Sequence, residues 1–331
     1  MKMRTRKMLA VIGLASISLL AFSGCASNAE YEINRYENLN GIDHILVDAT
    51  SSNVTIAPST DGTISVECKN LETMKYYVGV EGSSLVVKYN PEWHQRLFSG
   101  ALFRNDETAA TIYLPEGEYR QLTVDMTSGS FVVPEGYTFG TAGVEVTSGS
   151  VKFSADVTHA LDAECTSGDM AFIGVNCARL EAELTSGELT LLDVNCSALE
   201  VDVTSGSIDI TNLTATGGLT VELTSGEINL SNVTAATAYF EATSGEISAK
   251  DLIVAELMQI KLTSGDATLE RCDAGSMKIE TTSGSVRGTL LSPKNFSVKQ
   301  GSGRVDVPDD GDGGPCKISV TSGRVQLSIV E

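Results

Sequence analysis

The tripeptide Thr-Ser-Gly constrains this chain more than any other feature. It begins at Thr127, Thr147, Thr166, Thr185, Thr204, Thr224, Thr243, Thr263, Thr282 and Thr321, and Gly301-Ser302-Gly303 stands in the one gap. Successive copies start 19 or 20 residues apart. Eleven copies at so constant a period describe one structural unit repeated, each unit burying its apolar face on its neighbours.

The residues around the tripeptide identify the unit. Five residues before it stand Leu122, Ala142, Leu161, Leu180 and their equivalents, and three before stand Val124, Val144, Ala163 and Ala182. The residues between are polar. Four and six residues past the start come Phe131 and Val133, Val151 and Phe153, Met170 and Phe172. This period-two alternation on both sides reads as two one-sided strands joined at a Thr-Ser-Gly corner and followed by a return loop. Antiparallel hairpins or a solenoid with one coil per copy would satisfy it. The near-invariant spacing favours the solenoid, because stacked coils require constant length. The expected fold is therefore all-β: a single long β-solenoid, read as a right-handed parallel β-helix, of about eleven 19–20-residue coils. The recurrent Gly fits positive φ or close backbone approach, and the recurrent Ser a hydroxyl satisfying corner backbone groups. At ~4.8 Å per coil the stack is roughly 50 Å long.

The solenoid proper is expected over 119–331. Residues 41–118 read as irregular β structure capping its open N-terminal edge, or as a partner-binding loop. Ile45, Val47, Ala49, Val54 and Ile56 match the template around Thr50-Ser51-Ser52, where Ser52 replaces Gly. Residues 91–108, with the sole Trp93, break the pattern. At the other end the last strand leaves an edge that is either shielded by charge or paired.

Residues 1–24 carry a basic start (Lys2, Arg4, Arg6, Lys7) before an apolar run from Met8 to Phe22. This is a signal-peptide pattern, and the run is too short for an ordinary spanning helix. Phe22-Ser23-Gly24-Cys25 resembles the lipobox of bacterial lipoproteins, apart from Phe22 where Leu is usual. The resemblance implies that Cys25 is lipidated, and the polar stretch after it reads as a tether over residues 25–40. Stable membrane anchoring takes more than one acyl chain. The protein is thus expected outside the cytoplasm, anchored to a membrane.

The leader, the φ-x-φ-Thr-Ser-Gly-x-φ-x-φ repeats (φ, apolar) and the strand ending Thr111-Ile112-Tyr113-Leu114-Pro115 resemble the bacterial putative-adhesin domain of unknown function over 41–331. The resemblance implies an envelope protein and supplies no catalytic residues.

Formal charge is −20, from 23 Lys plus Arg against 43 Asp plus Glu. So acidic a surface argues against nucleic acid as a partner and against direct docking on anionic lipid. Two residues before the tripeptide stand Asp125, Glu145, Glu164, Glu183, Asp202, Glu222 and Glu241, which stacking would turn into a column. Asp169, Glu188, Glu227, Glu246 and Asp266 form a second acidic set. The column is a candidate site for Ca²⁺ or a cationic ligand, or a solvated face that keeps the rod soluble. No other cofactor is expected. Pro308–Gly314 is an acidic turn without EF-hand spacing. Cys177 and Cys196, 19 apart, would stack within disulfide reach or lie as buried thiols. Cys165, Cys272 and Cys316 fall at core positions, and Cys68 is left open. His44, His94 and His159 are scattered, and no nucleophile is paired with a base. The function expected is a lipid-anchored, non-catalytic adhesion or interaction scaffold that meets a protein or glycan of the cell envelope. An envelope-stress sensor using residues 91–108 is the first alternative and a carbohydrate-active enzyme the second.

Overall fold

The computed structural model describes residues 31–71, 75–89 and 108–330. Among them there is no helix, and the strands form one continuous β-solenoid. The N-terminal strands are β1 (Tyr31–Leu39), β2 (His44–Ala49), β3 (Asn53–Pro58), β4 (Ile64–Leu71), β5 (Tyr77–Glu81), β6 (Ser84–Tyr89) and β7 (Ala109–Leu114). The shaft is β8 (Gly117–Val133), β9 (Tyr137–Phe153), β10 (Asp156–Ile173), the unbroken β11 (Asn176–Ala242), β12 (Glu246–Leu262) and β13 (Asp266–Thr281). The far end is β14 (Ser285–Leu290), β15 (Asn295–Gln300), β16 (Arg304–Asp306), β17 (Pro315–Val320) and β18 (Arg324–Ile329).

Along the shaft the coils pair in parallel, with equivalent residues opposite each other. Leu161 faces Leu180, Ala163 faces Ala182 and Ser167 faces Ser186. The same register joins β8 to β9 and β12 to β13. The alternation read from the residues becomes burial: Leu180, Ala182 and Leu184 point inward and Glu183 outward. One core runs the length of the rod, with Phe139, Phe153 and Phe172 stacked at centroid spacings of 6.4 and 6.1 Å. No coil could hold such a core alone, since ordering its backbone costs ~1–2 kcal/mol per residue.

At each Thr-Ser-Gly the alternation slips. Met126 is buried, the next buried residue is Phe131, and the residues between face outward or sit at the bend. The chain turns here while ladder pairing continues. A Cβ on Gly187 would stand 1.7 Å from the Gly168 carbonyl oxygen. Corner glycines of the earlier coils also have positive φ, +134° at Gly187. Gly284 has no positive φ, yet its Cβ would lie 1.7 Å from the Gly265 oxygen. Close backbone approach is therefore the requirement that these corners share.

The return loop contains a second corner. Eight residues past each Thr, Gly174, Asp193, Asn212, Asn232, Asp251 and Arg271 adopt φ between 52° and 70°. Asn and Asp tolerate this left-handed region better than other side-chain-bearing residues. Their side chains join coil to coil. The Asn212 amide donates to Asp193 at 2.7 Å, that of Asn232 to Asn212 at 2.8 Å, and Arg271 to Asp251 at 2.8 Å.

Both ends of the rod depart from chain order. The stretch 41–118, expected as irregular β, contains two in-register layers. β2 and β3 form a coil that stacks directly on β8. β6 and β7 stack on its other side, so the later segment lies outside the earlier one. The capping strands are antiparallel: β4 on β7, β1 on β4 and β5 on β6. Ser52 fits where Gly is the rule because its side chain enters this cap. Its hydroxyl bonds Tyr76 Oη and reaches the Thr108 carbonyl at 3.4 Å.

The far end mirrors this arrangement. β17 pairs with β13 on one side and β15 on the other, and β18 lies between β14 and β16. The last strands are therefore interior, and 295–306 is the outermost coil. Of the two outcomes expected for the last strand, it is paired: β16 covers its far side. The turn Pro308–Gly314 carries the chain back inward, and a Cβ on Gly314 would meet the Gly275 oxygen at 1.8 Å. Beside the crossing, buried Lys294 holds Asp273 at 2.5 Å and the Ala274 carbonyl at 2.7 Å.

Candidate functional site

Parallel stacking turns the position two before each corner into a straight outward row. Asp125 faces Glu145, Glu145 faces Glu164, and Glu164 faces Glu183. The row continues through Asp202 and Glu222 to Glu241 and then meets Lys261. All seven carboxylates named from the sequence lie on it. Asp48 extends it at the other end, opposite Asp125. The row has a lysine at each end: Lys88 lies 3.7 Å from Asp48, and Lys261 bonds Glu241 at 2.6 Å. Asp48 stands two before Thr50, whose tripeptide ends in Ser52 rather than Gly, and so it lies outside the sequence pattern that marks the others. Of the second acidic set, Asp169 faces Glu188, while Glu227, Glu246 and Asp266 form a separate run.

Between the acidic row and the corner threonines lies a groove of about 200 Å³. Glu145, Glu164, Glu183 and Asp202 form one wall, and Thr147, Thr166, Thr185 and Thr204 the other. Burial first, and then the charge on Glu164, hold the Glu183 carboxyl above its ordinary pKa. Burial and then Glu241 do the same to Glu222. Glu241 is displaced downward, by its bond from Lys261 and then that from Tyr239. Among the described residues no group of three His, Cys, Asp or Glu side chains is close enough to hold a metal ion. The row is spread along the rod, and what it presents is a line of negative charge.

The raised pKa of Glu183 has a definite sign. The folded chain binds this proton more tightly than the unfolded chain, so the group costs stability as pH rises through its folded pKa. Glu183→Gln is expected to stabilise the protein at pH 7 by ~0.3 kcal/mol, the scale of exposed charge interactions. The gain should vanish below the unfolded value near pH ~4. Thermal melts of both proteins at the two pH values would show it; a pH-independent difference would refute the charge origin.

A second groove of about 280 Å³ runs along the other corner, lined by Asp193, Asn195, Asn212, Asn232 and the threonines Thr214 and Thr234. Its amides are largely spent on the ladder between coils.

Cys177 and Cys196 stack on successive coils, since Asn195 N donates to the Val175 carbonyl at 2.9 Å and its amide to Asn176 at 3.1 Å. Cys177 is half-buried and Cys196 buried, and both are free thiols here. Cys177 donates to Cys196 and so keeps its proton, while Cys196 is displaced downward by accepting that bond. Cys68, Cys272 and Cys316 are buried in the core, which pushes their thiols up to about 12, 11 and 12. Cys165 is buried as well. His44 bonds Ser84 and Thr123, each at 3.1 Å, and its pKa is lowered by burial first. Cys25, Trp93 and His94 lie outside the described residues.

A family model described as Toastrack DUF4097 matches residues 42–234 and 218–331. The chain belongs to the Toastrack family. Among the described strands the match takes in all but β1, and it agrees with the adhesin-type domain that the residues resemble. No curated protein matches the chain. Solved structures similar to this Toastrack chain include a putative adhesin from Bacteroides fragilis, 12% identical, covering 91% of this chain and 97% of that one with a TM-score of 0.32. A putative lipid binding protein from Parabacteroides distasonis is 14% identical over 91% of this chain and 98% of that one, with a TM-score of 0.43. A putative cell adhesion protein from Clostridium sporogenes is 9% identical over 92% and 100%, with a TM-score of 0.23.

Proposed function

We propose that this Toastrack chain is an extracytoplasmic interaction scaffold: a rod, lipid-anchored through Cys25, that binds a partner along its outer faces and does no chemistry. The observation that carries the reading is the in-register rows themselves. A straight line of carboxylates beside a straight line of threonine hydroxyls suits contact with an extended surface. The groove beside it, at about 200 Å³, and the one along the other corner, at about 280 Å³, are smaller than the ~300–1,000 Å³ of small-molecule sites. The basic leader and the small residues before Cys25 support export and anchoring.

Two measurements test it. Cells expressing the chain should incorporate labelled fatty acid into it, and Cys25→Ser should abolish the label. Cells displaying the chain should adhere to a coated surface of the same envelope, and neutralising Glu164, Glu183 and Asp202 to Gln/Asn should cut that adhesion about tenfold or more. Undiminished adhesion removes the row from the binding surface, and an unlabelled wild type removes the anchor.

A further inference from the structure

The outer face bearing the positions two and four before each corner reverses its charge along the rod. In the coils cornered at Thr166, Thr185 and Thr204 it presents Asp162 with Glu164, Glu181 with Glu183, and Glu200 with Asp202. Arg179 is the cation among them, ion-paired to Asp162, Glu181 and Glu200. Further along, the same two rows present Lys261, then Lys278, then Lys317, then Lys299. The inserted last coil creates this order, because it sets Lys317 between Lys278 and Ser297. Lys317 and Lys299 are exposed and make no ion pair among the described residues, in a chain with nearly twice as many acids as bases.

Tyr239, half-buried, lies in the coil midway between these regions. Counting coils outward from it, Glu222 on one side matches Lys261 on the other. Two coils out, Glu200 matches Lys278. Three coils out, Glu181 matches Lys317, and four coils out, Glu164 matches Lys299. Each match lies within one row. A twofold axis along the strand of Tyr239 would place a second rod antiparallel on this face and bring every match into opposition, each pair occurring twice. Two like-charge meetings arise. Asp202 faces Glu280, which Lys278 already holds at 2.8 Å, and Glu241 faces its own copy while bound to Lys261 at 2.6 Å.

We infer that this face is an isologous interface for a second copy of the chain. Nine coils at ~4.8 Å by a strand face ~16 Å wide give roughly 700 Å² per copy, just above the lower bound of specific interfaces. The matched charges set register and polarity more than affinity. The inference names a partner for the proposed scaffold, but the pairing itself does not depend on the anchor.

Sedimentation of the purified chain tests it. A dimer is expected whose Kd rises about tenfold or more between about 50 and about 500 mM salt. One variant, Lys278→Glu/Lys299→Glu/Lys317→Glu, and a second, Glu164→Lys/Glu181→Lys/Glu200→Lys, should each be monomeric. Mixed in equal amounts they should form a heterodimer, a rescue that misfolding cannot produce. Tyr239→Cys should also cross-link to its own copy through a short bismaleimide. A wild-type monomer at about 100 μM in low salt would overturn the inference, as would variants that dimerise unmixed or a mixture that stays monomeric.

Discussion

Deleting residues 315–330 is expected to release residues 291–314 as well. Among the described residues β15 and β16 have ladder partners only in β17 and β18, so removing the inserted coil removes every ladder the outer one makes. The deletion also strips Cys316, Ile318, Val320, Val325 and Leu327 from the core, all of them buried. Each such side chain contributes ~1.5–3 kcal/mol on burial. Lys299 and Arg304 are tryptic sites within the released segment. Cleavage at both should accelerate about tenfold or more, because protection tracks the stability of the local unit. Coils stacked in chain order would keep 295–306 protected after the same deletion, and unchanged cleavage would therefore refute the interleaved topology.

The second large effect is expected at a corner glycine. Gly206→Ala places a Cβ 1.9 Å from the Gly187 carbonyl oxygen and 3.0 Å from its carbon, at a φ of +156°. Neither backbone can retreat without breaking pairing on its far side, since both belong to the interior of β11. A loss of about 3 kcal/mol or more is expected, in the range that backbone strain reaches. Thermal unfolding should register it as a fall in Tm of about 6 °C or more. Gly143→Ala is the control. That glycine lies within β9 with negative φ, and an added Cβ would meet nothing within 4 Å. Ala there should be neutral or stabilising by ~0.5 kcal/mol. Equal effects at both positions would remove close approach as the reason for the corner glycines.

The corner and the acidic row were legible because both are periodic. Leu161, Leu180 and Leu199 recur at the same offset from Thr-Ser-Gly, and a one-residue slip would turn every one of them to solvent. Register then follows, and with it the positions of Glu164, Glu183 and Asp202. The second corner was less visible, because Gly174, Asp193, Asn212 and Arg271 share no residue type. What they share is a left-handed backbone, and only the recurrence of Asn, Asp and Gly hinted at it. Lys294 gave no signal: it becomes buried only where the chain crosses back over its own last coil.

The repeat by itself favoured coils over hairpins and, once the coils stack, determined the direction of each side chain and the identity of each row, since constant spacing and alternation along each strand allow one parallel register along the shaft. Only the tertiary structure decided the order of coils at the two ends. Every coil carries the same apolar alternation, so the pattern alone does not say which coil stacks beside which. That choice rests on contacts between segments far apart in the chain: Tyr76 with Ser52, Lys294 with Asp273, and Gly314 against Gly275.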